Sequence, residues 1–242
     1  MSASDPMIPN RYVRALWLAW FALIRPFVRR RLRRPVLEWV DGRSFLVLPQ
    51  VHNPVVFRSG RMLATAVASF RVTAPRAGGA GDSRGPRALD MGTGCGIGAV
   101  FAAAHGYQVV AVDINPEAVR CARINACLNR LENRIDLRTG DLFEPVAGER
   151  FDLVLFNPPF FCGESKDLLD LAWRGTDVLE RFAVGLPSAL EREGLALILL
   201  SSDGEGERLL STLHAQGLRV AAELRRNLGN EIMTVYSARP PQ

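Results

Sequence analysis

Asn157-Pro158-Pro159-Phe160 ends the apolar run Val154-Leu-Phe156. An amide followed by two prolines is poor strand material, so a strand through the run must stop there. The same residue types suit a planar NH2 group. The Asn157 oxygen can accept one N–H and the Pro158 carbonyl the other. Two acceptors aimed at one nitrogen orient it and favour pyramidal character as its conjugation breaks. Pro158 and Pro159 each hold φ at about −65°, and Phe160 offers a flat face for stacking. Outside a wider pattern, the tetrapeptide would read as a strand-ending turn.

The wider pattern lies upstream. Asp90-Met-Gly92-Thr-Gly94-Cys-Gly96-Ile-Gly98 separates a predicted strand from a predicted helix. Glycines let backbone turn sharply and approach a ligand, and the helix N-terminus beyond offers unpaired N–H groups. Asp113 ends the next predicted strand, where a carboxylate accepts from a ribose diol. Gly140-Asp141-Leu142-Phe143 follows the strand after that, where a carboxylate can accept from an adenine amino group. Gly94-Cys-Gly96-Ile-Gly98-Ala99 also fits the loose dinucleotide pattern. A nicotinamide dehydrogenase therefore stays open at this level, although it gives Asn157-Pro158-Pro159-Phe160 no role.

These residues need a scaffold. Apolar runs predict strands at 87–91, 107–112, 134–138, 151–156, 195–201, 218–225 and 231–237, and helices at 97–105, 116–129, 176–192 and 205–216. The alternation predicts an α/β fold with a mainly parallel sheet and helices on both faces. Only a tight turn separates the last two strands, which predicts a C-terminal antiparallel hairpin. Asp41-Gly42 between two β-rich runs predicts another hairpin, and residues 59–70 read as a helix. The expected divisions are a basic amphipathic arm over 1–35, a hairpin-and-helix extension over 36–72, a flexible linker over 73–86 and a catalytic domain over 87–242.

The chain has 242 residues, 48% apolar and 23% charged, with net charge +5. Arg11, Arg14, Arg25, Arg29, Arg30, Arg31, Arg33 and Arg34 face one acid, Asp5, within residues 1–35. The basic character belongs to that arm, and the remainder is slightly acidic. The apolar run Ala15–Ile24 is shorter than the roughly 20 residues a membrane span needs. With its flanking arginines, the arm over 11–34 suits packing on the body, a membrane surface or nucleic acid. Cys95, Cys121, Cys127 and Cys162 match no common zinc spacing and read as reduced thiols in a cytoplasmic protein, with no metal expected. His105 and His214 fall in helical patterns. His52 lies in a loop that can face the pocket.

Taken together, the glycine loop, Asp113, Asp141 and the Asn-Pro-Pro-Phe motif resemble the class I S-adenosylmethionine-dependent methyltransferases, over residues 87–237. The resemblance implies a Rossmann-like seven-stranded sheet. Gly92, Gly94 and Gly96 would cradle the methionine part of the cofactor, with Asp90 beside them. Asp113 would hold the ribose, Ile114 would flank the adenine, and Asp141 and Leu142 would contact its edge. Asn157, Pro158, Pro159 and Phe160 would hold the acceptor. The motif is shared by enzymes that methylate planar NH2 groups, among them release-factor glutamine methyltransferases and adenine-N6 methyltransferases. The expected reaction is N-methylation of a glutamine amide in a translation protein. Alternatives are adenine-N6 methylation of RNA or DNA and small-molecule methylation near a membrane. One departure stands out: Pro54-Val-Val-Phe57-Arg58-Ser59-Gly60-Arg61 is basic where the release-factor group carries an acid and a threonine.

Overall fold

The computed structural model describes residues 12, 16, 20, 23, 33–49, 51–55, 59–70, 85–158, 177–202, 204, 206–228 and 231–241. Pro159, Phe160, Cys162, the polar stretch 163–175, most of the arm over 11–34 and most of the expected linker lie outside them. Within the described residues, no helix is long and apolar enough to cross a membrane.

Two short strands, β1 (Val36–Val40) and β2 (Arg43–Val47), form an antiparallel hairpin closed at Asp41-Gly42. Asp41 takes φ 46° and Gly42 φ 81°, the left-handed pair that a two-residue hairpin turn requires. Helix α1 (Ser59–Ser69) follows. The body then alternates β3 (Arg87–Met91), α2 (Ile97–Ala104), β4 (Gln108–Asp113), α3 (Pro116–Leu128), β5 (Ile135–Thr139), β6 (Phe151–Phe156), α4 (Val178–Ala189), β7 (Leu190–Ser201), α5 (Gly206–Ala215), β8 (Arg219–Asn227) and β9 (Ile232–Arg239).

The seven strands β3 to β9 form one sheet in the order β5-β4-β3-β6-β7-β9-β8. β5, β4, β3, β6 and β7 run parallel, and β9 is antiparallel to both of its neighbours. Strand alternation divides the core. Leu153 and Leu155 of β6 face a cluster that includes α1, α2, α3 and the hairpin. Val154 and Phe156 face the cluster holding Phe182, Leu186, Leu209 and Leu213 of α4 and α5. The edge strand β8 is mostly exposed and carries Arg219, Glu223, Arg225 and Arg226, charges that discourage pairing with another chain.

The largest departure from the expected boundaries falls at the start of β7. The helix expected to run to residue 192 ends at Ala189, and β7 begins at Leu190. Pro187 removes a backbone donor from the last turn, and Leu190 pairs with Phe151. The register then jumps to Leu153↔Leu195, so residues 191–194 bulge. A Cβ on Gly194 would lie 2.9 Å from the Phe151 carbonyl oxygen, which explains the glycine at the bulge.

The extension shares its core with the body. Phe45 of β2 stacks on Phe101 of α2 at 6.2 Å. Asn125, fully buried on α3, accepts from the Leu46 N–H at 2.7 Å and donates to the Leu46 carbonyl at 2.9 Å and to the Cys95 carbonyl at 2.8 Å. One side chain thus ties the hairpin to the glycine loop.

Candidate active site

Parallel register brings the carboxyl ends of four strands to one edge of the sheet. Met91 pairs with Phe156 and Val112, and Asp113 pairs with Thr139. The residues just beyond these ends are therefore neighbours: the glycine loop after β3, Ile114 after β4, Asp141 and Leu142 after β5, and Asn157 after β6. The strand order reverses at β3, and ligands of open α/β sheets bind in the crevice at such a point.

Asp90 organises the loop from beneath. It is 4% exposed. Its Oδ2 accepts from Thr93 Oγ1 at 2.6 Å and from the Ala99 N–H at 2.8 Å, so it satisfies one free donor of the α2 N-terminus. Burial pushes its pKa up to about 6, against the lowering effect of those two hydrogen bonds. Gly98 belongs to the same device: a Cβ there would sit 2.4 Å from Asp90 Oδ1. Gly92, Gly94 and Gly96 all take positive φ, and a Cβ on Gly92 would meet nothing within 4 Å. The space over Gly92 is open, and a ligand can approach the backbone there.

Asp113 Oδ2 accepts from the Gly94 N–H and Oδ1 from the Asn115 N–H, both at 2.9 Å. Each carboxylate oxygen has a second lone pair, and these suit a ribose diol. Burial raises the Asp113 pKa. Ile114 beside it is 49% exposed, an apolar side chain left open just beyond the strand end. Leu142 takes φ 47°, a left-handed conformation unusual for a non-glycine residue and typical of functional turns. Arg181 of α4 donates to Asp141 Oδ2 at 2.5 Å.

Asn157 carries the sharpest signal. Its Nδ2 donates to Ser59 Oγ at 3.3 Å, whereas its Oδ1 is buried with no partner among the described residues. A buried oxygen without a donor is costly, and at the end of β6 it reads as an acceptor held for a ligand N–H. Pro158 is buried beside it. His52 Nε2 lies 3.1 Å from the same Ser59 Oγ. Burial lowers the His52 pKa to about 4, so the ring is neutral.

Among the described residues, no group of three or more His, Cys, Asp and Glu side chains is placed to hold a metal. Cys95 and Cys121 are buried thiols and Cys127 is exposed. Sequence reasoning missed Thr93, Ser59 and Arg181. Thr93 sits inside the glycine loop, where its hydroxyl was a readable clue. Ser59 and Arg181 arrive from distant elements and carry no local signal.

A seven-stranded sheet of this order, a glycine loop after its first strand and acids at the next two strand ends define a class I S-adenosylmethionine-dependent methyltransferase. Residues 81–223 match the family described as the methyltransferase small domain, and the chain belongs to that family. It is 32% identical over 166 residues to a Methanocaldococcus jannaschii protein assigned as an N5-glutamine methyltransferase, covering 65% of this chain and 83% of the relative. It is 30% identical over 211 residues to the release factor glutamine methyltransferase of Geobacter sulfurreducens, covering 81% and 71%. The T. thermophilus 16S rRNA N2 G1207 methyltransferase, solved with AdoMet and guanosine, superposes with a TM-score of 0.59 at 21% identity over 86% of this chain and 50% of that one. The enzyme is a methyltransferase, and its methyl donor is S-adenosylmethionine.

Proposed function

We propose that the enzyme methylates the side-chain amide nitrogen of a glutamine in a protein of the translation machinery. The observation that carries this reading is the buried Oδ1 of Asn157, without a partner among the described residues. The M. jannaschii and G. sulfurreducens relatives, both named for glutamine methylation, support it.

The donor supplies a methyl group already activated on a sulfonium. The protein's task is placement: a lone pair must be held about 3–3.5 Å from the methyl carbon. Gly92, Gly94 and Gly96 make room for the methionine part, with Asp90 holding their loop in shape. Asp113 receives the ribose hydroxyls, Ile114 covers the adenine, and Asp141 and Leu142 meet its edge. Asn157 Oδ1 and the Pro158 carbonyl accept the two N–H bonds of the acceptor amide. No side chain is needed as a strong base, because the nitrogen can lose its proton after it has gained the methyl group.

The test supplies labelled S-adenosylmethionine and purified enzyme to cell lysate, with Asn157→Ala as control, and separates protein, nucleic acid and small molecules. Label in a protein band, mapped to a glutamine by mass spectrometry, is expected. Label confined to RNA or DNA would replace this reading with adenine-N6 methylation. Label confined to small molecules would leave the protein acceptor without support. A cytoplasmic location goes with the translation-protein reading.

A further inference from the structure

The role given to Asn157 requires its amide to face one way. The carbonyl oxygen must point at the acceptor and the NH2 away from it. A primary amide turned over about χ2 fills the same space, and the turned amide would present two donors to an acceptor that also brings donors. Something outside the amide has to choose.

Among the described residues, Ser59 is the group in reach. It opens α1, is 1% exposed and sets its Oγ 3.3 Å from Asn157 Nδ2. The position is held on several sides. A Cβ on neighbouring Gly60 would fall 2.9 Å from Pro54 Cβ and 3.1 Å from Ile97 Cγ2, so the start of α1 packs against the loop over 51–55 and the first residue of α2. Asn53 anchors that loop by donating from Nδ2 to Glu38 Oε1 of β1 at 2.9 Å and by accepting from the Val55 N–H at 2.9 Å. His52 comes from the same loop, with Nε2 3.1 Å from Ser59 Oγ.

Resting on the reading of Asn157 above, we propose that Ser59 and His52 are positioning residues that set the polarity of the Asn157 amide. His52 Nε2 accepts the Ser59 hydroxyl proton. The Ser59 oxygen is then left with lone pairs only, and these accept from Asn157 Nδ2. The amide oxygen is turned to the cleft. The opposite tautomer of His52 would donate to Ser59 and free the hydroxyl proton, which could then hold the amide oxygen and turn it from the acceptor. The neutral state of His52 permits the accepting role, because a protonated ring has only donors.

This gives the extension a chemical task as well as a structural one. Its loop and helix reach over the sheet edge and hold the acceptor-binding amide from behind. The basic run Arg58-Ser59-Gly60-Arg61 keeps the hydroxyl that this task needs, although it lacks the acid common in release-factor enzymes.

The test compares wild type, Ser59→Ala, Ser59→Thr and His52→Phe in the full chain. Donor affinity is read by calorimetry, and transfer is read as label entering whichever lysate fraction wild type marks. Ser59→Ala should lower the transfer rate at saturating donor about tenfold, the order of one hydrogen bond, with donor affinity changed less than about threefold. Donor binding also shows that the variant is folded. Ser59→Thr keeps a hydroxyl and should recover most of the rate, whereas a merely structural serine would not be rescued in this way. His52→Phe should lower the rate and spare donor affinity. The lock itself is read without any acceptor, from the Asn157 side-chain NH2 resonances of 15N-asparagine-labelled protein. Their exchange with solvent should quicken several-fold in Ser59→Ala. Full transfer by Ser59→Ala would overturn the proposal. So would a loss of donor affinity that accounts for the whole effect, which would make Ser59 a donor ligand, or unchanged Asn157 exchange. Failure of wild type to label any fraction would count against the methyl-transfer reading, and the exchange data would still decide the lock.

Discussion

At the residue scale, the acceptor and donor halves of the site should separate by mutation. Asn157→Ala removes the acceptor proposed to hold the substrate amide and should lower the transfer rate on the order of a hundredfold or more, with donor affinity within a few-fold by calorimetry. Asp113→Ala should do the reverse first, weakening donor binding about tenfold or more, since the proposed role of Asp113 is to hold the ribose by charge-assisted hydrogen bonds and the substitution also releases the Gly94 N–H. The two buried ionisable groups make opposed pH predictions. His52 titrates near 4 against an ordinary 6.5. Its contribution to stability is fully present above about pH 6.5 and is lost as pH falls toward 4. Asp90 titrates near 6 against an ordinary 3.8. The folded state then holds the proton more tightly than the unfolded chain, so stability is lost as pH rises from about 3.8 to 6. Thermal melts across this range should show wild type gaining stability with pH relative to His52→Phe and losing it relative to Asp90→Asn. Parallel curves in either pair would contradict the corresponding shift.

At the element scale, legibility followed locality. The first four strands of the sheet and the helices between them were readable, because apolar periodicity and the glycine loop are properties of short windows. The C-terminal hairpin was readable from the lack of space for a crossover helix. The start of β7 was not, because residues 190–192 read as the end of a helix and Leu190 becomes strand only through pairing with Phe151. The attachment of the hairpin was also hidden. Asn125 looks like any polar residue of an amphipathic helix, yet it is fully buried and holds β2 and the glycine loop together. Asn125→Leu would leave the Leu46 N–H and carbonyl and the Cys95 carbonyl without this partner. A loss of about 3 kcal/mol is expected, measured by denaturant unfolding. Donor affinity should fall as well, because Cys95 belongs to the loop proposed to cradle the donor. A stability loss with donor affinity intact would show that the hairpin does not shape the loop.

At the scale of the whole molecule, charge and chemistry lie apart. The body carries a small negative net charge, and residues 1–35 hold eight arginines against one acid. Tyr12, Leu16, Trp20 and Leu23 are helical and 56–75% exposed. Their spacing places them on one face. Deleting residues 1–35 removes the concentrated positive charge, so methyl-donor affinity should stay unchanged while any binding to RNA or to anionic vesicles that runs through the arm is lost. Salt then separates the charge contribution, since binding through arginine and phosphate weakens steeply as salt rises. The exposed stripe separates the two surfaces. Apolar burial strengthens attachment to lipid, whereas phosphate contacts need only the arginines. Leu16→Ser with Trp20→Ser and Leu23→Ser should therefore weaken any binding to vesicles and leave any binding to RNA nearly intact. Equal loss of both would show that the stripe is needed to present the arginines, and retention of either after deletion of residues 1–35 would place that docking surface on the body.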